Sequence, residues 1–171
     1  KKSFEGNNYS GFPVFMANGV KQALNAYKES GDISFADFEM DKAYYEYAYS
    51  VFEGFEFLKS VLETQIDLIN IKTFIRSKTA GKGQDFFRKA VIDKGTVSTG
   101  FLIERFARET IDFHKDVRMK RYAKYVSEGL EHYEKTGSGL AAMERLSDEY
   151  MLKAVEGSLY IAYGVELLYS F

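Results

Sequence analysis

A single proline, Pro13, stands in a chain of 171 residues. Proline breaks helices because it lacks an N–H and its ring clashes with the preceding turn. Everything after Pro13 is therefore free to be helical, and the apolar spacing says that it is. Val14, Ala17, Val20, Leu24 and Tyr27 recur at steps of three and four, which puts them on one buried helix face. Glu29-Ser30-Gly31-Asp32 stops that helix, with Gly31 in the left-handed closing position. Asp32 or Ser34 caps the next helix, which carries Phe35, Phe38, Met40, Ala43, Tyr44, Tyr47, Ala48 and Val51 and is interrupted at Gly54.

Residues 55–80 form the clearest segment. Leu58, Val61, Leu62, Ile66, Leu68, Ile69, Ile71 and Ile75 wrap most of the helix, so it is expected to be central. Gly81-Lys82-Gly83 ends it. A short amphipathic piece with Phe86, Phe87, Ala90, Val91 and Ile92 follows, then a turn rich in Gly, Thr and Ser from Gly95 to Gly100. Helices are expected over 101–112, 117–135, 140–155 and from Leu159 to the end, with a loop at Thr136-Gly137-Ser138-Gly139. The fold class is all-α.

The chain also echoes itself. Tyr27-Lys28-Glu29-Ser30-Gly31 resembles Tyr133-Glu134-Lys135-Thr136-Gly137, and the two glycines lie 106 residues apart. Phe38-Glu39 is answered by Met143-Glu144, and Val51-Phe52-Glu53-Gly54 by Ala154-Val155-Glu156-Gly157, in the same order. This predicts two related helical lobes, residues 1–98 with the central helix and residues 99–171, the second incomplete. There is no Met at position 1, and Leu167-Leu168-Tyr169-Ser170-Phe171 stops inside an apolar run. The expectation is a piece of a longer chain.

Chemistry is constrained mostly by exclusion. A net charge of −2 argues against general nucleic-acid binding. With no cysteine there is no disulfide, thiolate-bound metal or thiol catalysis. Lys1-Lys2-Ser3-Phe4 has no apolar stretch behind it, so it does not read as a signal peptide, and no run reaches the length of a membrane span. His114 and His132 are isolated; Glu128 and His132 stand at i, i+4 without the second Glu-x-x-His pair that a di-iron bundle needs. Thr79-Ala80-Gly81-Lys82-Gly83 lacks the upstream glycine and the hydroxyl residue of a phosphate loop. Ser98-Thr99-Gly100 has no His or Asp partner in view for a nucleophile. No catalytic residue, cofactor or metal ligand is expected.

Two charged features remain. Glu63, Asp67 and Asn70 form a polar stripe on the apolar central helix, followed by Lys72, Arg76 and Lys78. Buried, such groups need partners, so hydrogen bonds between helices are expected, with a partner-facing site as the alternative. The second feature is Arg105, Arg108, Lys115, Arg118, Lys120, Arg121 and Lys124, interleaved with Glu104, Glu109, Asp112 and Asp116. It reads as a solvated face, with an acidic partner surface as the alternative. The partner-contact candidates are Lys72, Arg76, Lys78, Arg118, Lys120 and Arg121.

The pattern Glu63-x-x-Ile66-Asp67-x-x-Asn70-Ile71-Lys72-x-x-Ile75-Arg76-x-Lys78, followed by Gly81-Lys82, resembles the helix motif of the C (or d) subunit of V-type rotary ATPases and ATP synthases. Tyr163-Gly164-Val165-Glu166-x-Leu168 is similar to the segment that precedes the next such helix there, with Leu167 where members often carry proline. The resemblance implies three similar helical lobes in a funnel, and no catalysis in this subunit. It implies a socket and spacer between the central rotor shaft and the membrane ring of ion-carrying subunits, peripheral on the cytoplasmic face of a membrane. Two rivals stand beside it. A generic α-helical interaction scaffold would normally repeat every 20–50 residues or so, far shorter than this offset. A helical enzyme would show a bound cofactor or a cleft with perturbed carboxylates.

Overall fold

The computed structural model describes residue 9 and residues 11–108, 112–136 and 139–156, and every regular element among them is helical. In chain order these are α1 (Val14–Ser30), α2 (Ile33–Val51), α3 (Glu56–Thr79), α4 (Gln84–Ala90) and α5 (Thr99–Phe106). Two short 3₁₀ turns, Phe113–Lys115 and Val117–Met119, lead to α6 (Ala123–Thr136) and α7 (Gly139–Glu156). The segment expected to be helical from Leu159 onward lies outside the described residues. The chain divides into two compact units, residues 1–51 and residues 52–171. The division expected between residues 98 and 99 falls inside the second unit.

The first unit is a helical hairpin. Gly31 takes a φ of 69° at the end of α1 and donates its N–H to the Tyr27 carbonyl, the left-handed closure that glycine adopts without steric cost. Of the two expected caps for α2, the structure uses Asp32: its Oδ1 accepts the Ser34 N–H at 2.9 Å. Phe15 of α1 stacks on Tyr47 of α2 with ring centroids 3.8 Å apart. The helices approach closely at Gly19, beside Ala43 and Met40.

The second unit is built around α3. Twelve of its residues are buried, from Leu58 to Ser77, and they occur on every side of the helix. Gly54 turns the chain into it with a φ of 87°. Its far end is a Schellman motif: Lys82 N–H bonds the Ser77 carbonyl at 2.9 Å and Gly81 N–H the Lys78 carbonyl at 3.0 Å. Phe74 of α3 sits among Phe87, Phe106 and Phe113, with centroids 5.3, 5.1 and 4.2 Å away, and Phe87 stacks on Phe106 at 4.4 Å. Burying each such side chain contributes about 1.5–3 kcal/mol, which makes this quartet a principal source of the unit's stability.

Two expected helices are shorter than their sequence suggests. The helix expected over 101–112 ends at Phe106, and the one expected from 117 begins at Ala123. Between them the backbone closes by i→i+3 bonds: Met119 N–H to the Asp116 carbonyl and Tyr122 N–H to the Met119 carbonyl. Asp116 also accepts the Arg118 N–H with its own side chain at 3.0 Å, a local bond that competes with α-helix formation. The tighter winding lets Phe113, Met119 and Tyr122 all reach the core.

Candidate functional site

Asp67 and Asn70 lie on α3 and are fully buried, so each must find partners away from water. Asn70 Nδ2 donates to the Ile92 carbonyl at 2.7 Å, while its Oδ1 accepts the Ile92 N–H at 2.9 Å. Asp67 Oδ1 accepts the Val97 N–H at 2.9 Å; Oδ2 accepts the Tyr122 hydroxyl at 2.8 Å and the Thr96 hydroxyl. Burial, and then the Asp67 carboxylate beside it, raise the Tyr122 hydroxyl above its ordinary 10.0. Asp67 and Asn70 of the polar stripe thus form an internal clamp, as the hydrogen-bonding reading expects. It staples the 92–97 loop and the start of α6 to the central helix.

Gly95 is part of that clamp by what it lacks. A methyl group at this position would run into Asp67 Oδ1 and come within 3.2 Å of Ile66. Beyond the turn expected from Gly95 to Gly100, nothing in the sequence marks Gly95, Thr96 or Tyr122, because their contacts exist only once the loop lies across α3. The Gly/Thr/Ser composition of 95–100 was the available signal.

The six candidate cations do different things. Lys72 pairs with Glu144 of α7 at 2.8 Å. Lys78 Nζ donates to the Arg108 carbonyl and lies 4.8 Å from the centre of the Phe106 ring. Arg121 donates through Nη2 to Thr64 at 2.8 Å, and its carbonyl accepts the Tyr150 hydroxyl at 3.2 Å. Arg118 lies 3.8 Å over the Phe101 ring and donates to Asp116 through both Nε and Nη2 at 2.9 Å. Arg76 and Lys120 are exposed and make no ion pair among the described residues. Arg118, Lys120 and Arg121 fall together on one short stretch, whereas Lys72, Arg76 and Lys78 follow α3.

Asp116 is the anchor of that stretch. It takes Arg118 on one side and Arg105 on the other, the latter at 2.6 Å. The hydrogen bonds from Arg118, side chain first and backbone second, hold its carboxyl well below the usual carboxylate range, with Arg105 adding to the effect. Nearby, His114 has its Nδ1 buried with no hydrogen-bond partner among the described residues. Burial, and then Lys115, push its imidazole below the ordinary 6.5, so it favours the neutral form. Among the described residues no group of His, Cys, Asp and Glu is placed to hold a metal ion, and no helix is long and apolar enough to cross a membrane.

A family model described as ATP synthase (C/AC39) subunit matches residues 2–171, nearly the whole chain. Neither the curated proteins nor the solved structures contain a significant match.

Proposed function

This chain belongs to the ATP synthase (C/AC39) subunit family, and from that premise we propose that it is a non-catalytic central-stalk subunit of a V-type rotary ATPase. It acts as a socket and spacer that seats the rotor shaft on the membrane ring of ion-carrying subunits, peripheral on the cytoplasmic face. The observation that supports this reading best is the bracing of α3. A part that transmits torque must resist shear between its elements. Hydrogen bonds from buried Asp67 and Asn70 to a loop and to Tyr122 oppose such sliding directionally, which apolar packing alone does not.

The two-lobe organisation, residues 1–98 and 99–171, is proposed as a statement of descent. The helix ends at Ser30 and Thr136, and the helix starts at Ile33 and Gly139, are each 106 residues apart. Both hairpins make a close approach at a glycine against a methionine: Gly19 with Met40, Gly129 with Met143. Lys72, Arg76, Lys78, Arg118, Lys120 and Arg121 are the proposed partner-contact residues, and Arg76 and Lys120 have the most freedom to act so.

The test is a salt and chelator wash of native membranes, followed by an immunoblot against this chain. The chain is expected to stay on the membrane until the rotor complex is disrupted, then to co-purify with shaft and ring subunits. A freely soluble chain with no ATPase subunits attached overturns the reading and favours a generic helical scaffold.

A further inference from the structure

Residues 113–124 combine a pinned backbone with several exposed cations, of which Lys115 and Lys120 have no ion pair among the described residues. Phe113, Met119 and Tyr122 are fully buried and pin the stretch at three points. Asp116 is already neutralised by Arg105 and Arg118, and Arg118 is stacked on Phe101. Lys115, Lys120, Arg121 and Lys124 are exposed, and Val117, which lies among them in the sequence, is 81% exposed. Lys124 reaches Glu128 only at 3.5 Å. Exposed cations without counter-charges keep their charge available for a partner, and a backbone already pinned spares the cost of ordering the stretch itself.

We propose that this stretch is a docking surface for an acidic protein face, one that offers carboxylates to Lys115, Lys120 and Arg121 and a small apolar hollow to Val117. The proposal rests on the rotary-complex reading and specifies the chemistry of one partner subunit. An anionic lipid surface is the competing source of negative charge. Lipid-surface elements bury Trp, Phe or Leu in the interface, whereas Val117 is the one large apolar side chain exposed in this stretch. A lone valine suits a protein hollow better than a bilayer.

The experiment uses the full chain in native membranes with the rotor complex assembled. Val117 is replaced by the photoreactive p-benzoylphenylalanine, and cross-linked peptides are mapped by mass spectrometry. In parallel, K115E/K120E is compared with R88E, an exposed charge reversal on α4, for retention after a graded salt wash. The expected result is cross-linking to an Asp- or Glu-rich stretch of another subunit of the complex. Retention of K115E/K120E should fall about tenfold or more, with R88E retained like the native chain. If circular dichroism shows K115E/K120E misfolded, K115Q/K120Q replaces it. Lipid adducts, adducts to a stretch without carboxylates, or unchanged retention overturn the proposal. Failure of the underlying reading looks different: the unsubstituted chain is then absent from the complex, and both fall together.

Discussion

Asp67 is held by three donors in a place that water does not reach, so removing it should be costly. D67A takes the acceptor from the Val97 N–H and the Thr96 and Tyr122 hydroxyls. Thr96 is exposed and its hydroxyl can turn to water, so at about 1–3 kcal/mol for each of the two buried donors left unpaired, the expected loss is about 2–6 kcal/mol. Y122F removes one donor and leaves the others, so about 1–2 kcal/mol is expected. Urea unfolding of both variants checks this, with the midpoint falling and the slope unchanged. Asp116 makes a different prediction, in pH. Its folded pKa is depressed below the ordinary 3.8, so its contribution is whole above that pH and is shed as the pH falls toward the folded value. D116N should therefore be less stable than the native chain at neutral pH, and the gap should narrow below 3.8. A gap that stays constant into acid would show that Asp116 acts through shape and not charge.

Helix α3 was legible in the sequence because its constraint is local to itself. Apolar residues on nearly every side of residues 55–80 announce a central helix, and the structure places it at Glu56–Thr79. Its stop was legible for the same reason: Gly81 takes a φ of 66°, where a side chain is penalised. G81A is expected to cost about 1 kcal/mol in thermal or urea unfolding. G129A should cost about 1–3 kcal/mol, because the added methyl lies 2.7 Å from Met143 Cγ. The stretch between α5 and α6 was not legible. Its apolar spacing fits a helix, and nothing nearby in sequence reveals that the Tyr122 hydroxyl is wanted at Asp67, 55 positions back. A tertiary bond decided the local winding there. The same distance hid the clamp, though its α3 half was visible as a polar stripe in need of partners. Lys72 and Arg118 were legible as charges, but not as charges already spent on Glu144 and Asp116.

At the scale of the molecule, the two compact units differ in what they bury. The first places Tyr9, Gly19, Ala23 and Tyr45 out of solvent, whereas the second has the Phe74 quartet, the clamp and a helix with twelve buried residues. Local opening should follow that difference. Amide hydrogen exchange in α1 and α2 is expected to be faster than in α3, whose slowest amides report global unfolding. Equal protection in α1 and α3 would mean that the two units open as one.

Asn70 has a further consequence, one that concerns chemical ageing. Its carboxamide gives Ile92 both a donor and an acceptor, as a neighbouring peptide group would. Deamidation to aspartate would keep the acceptor and replace the donor by a second oxygen, setting a negative charge against the Ile92 carbonyl. Spontaneous deamidation requires the following backbone N–H to attack the side-chain carbon, which needs a flexible chain and a small next residue. Here the next residue is the β-branched Ile71, inside a buried helix. The position that could least survive the lesion is thus built so that the reaction is slow to begin.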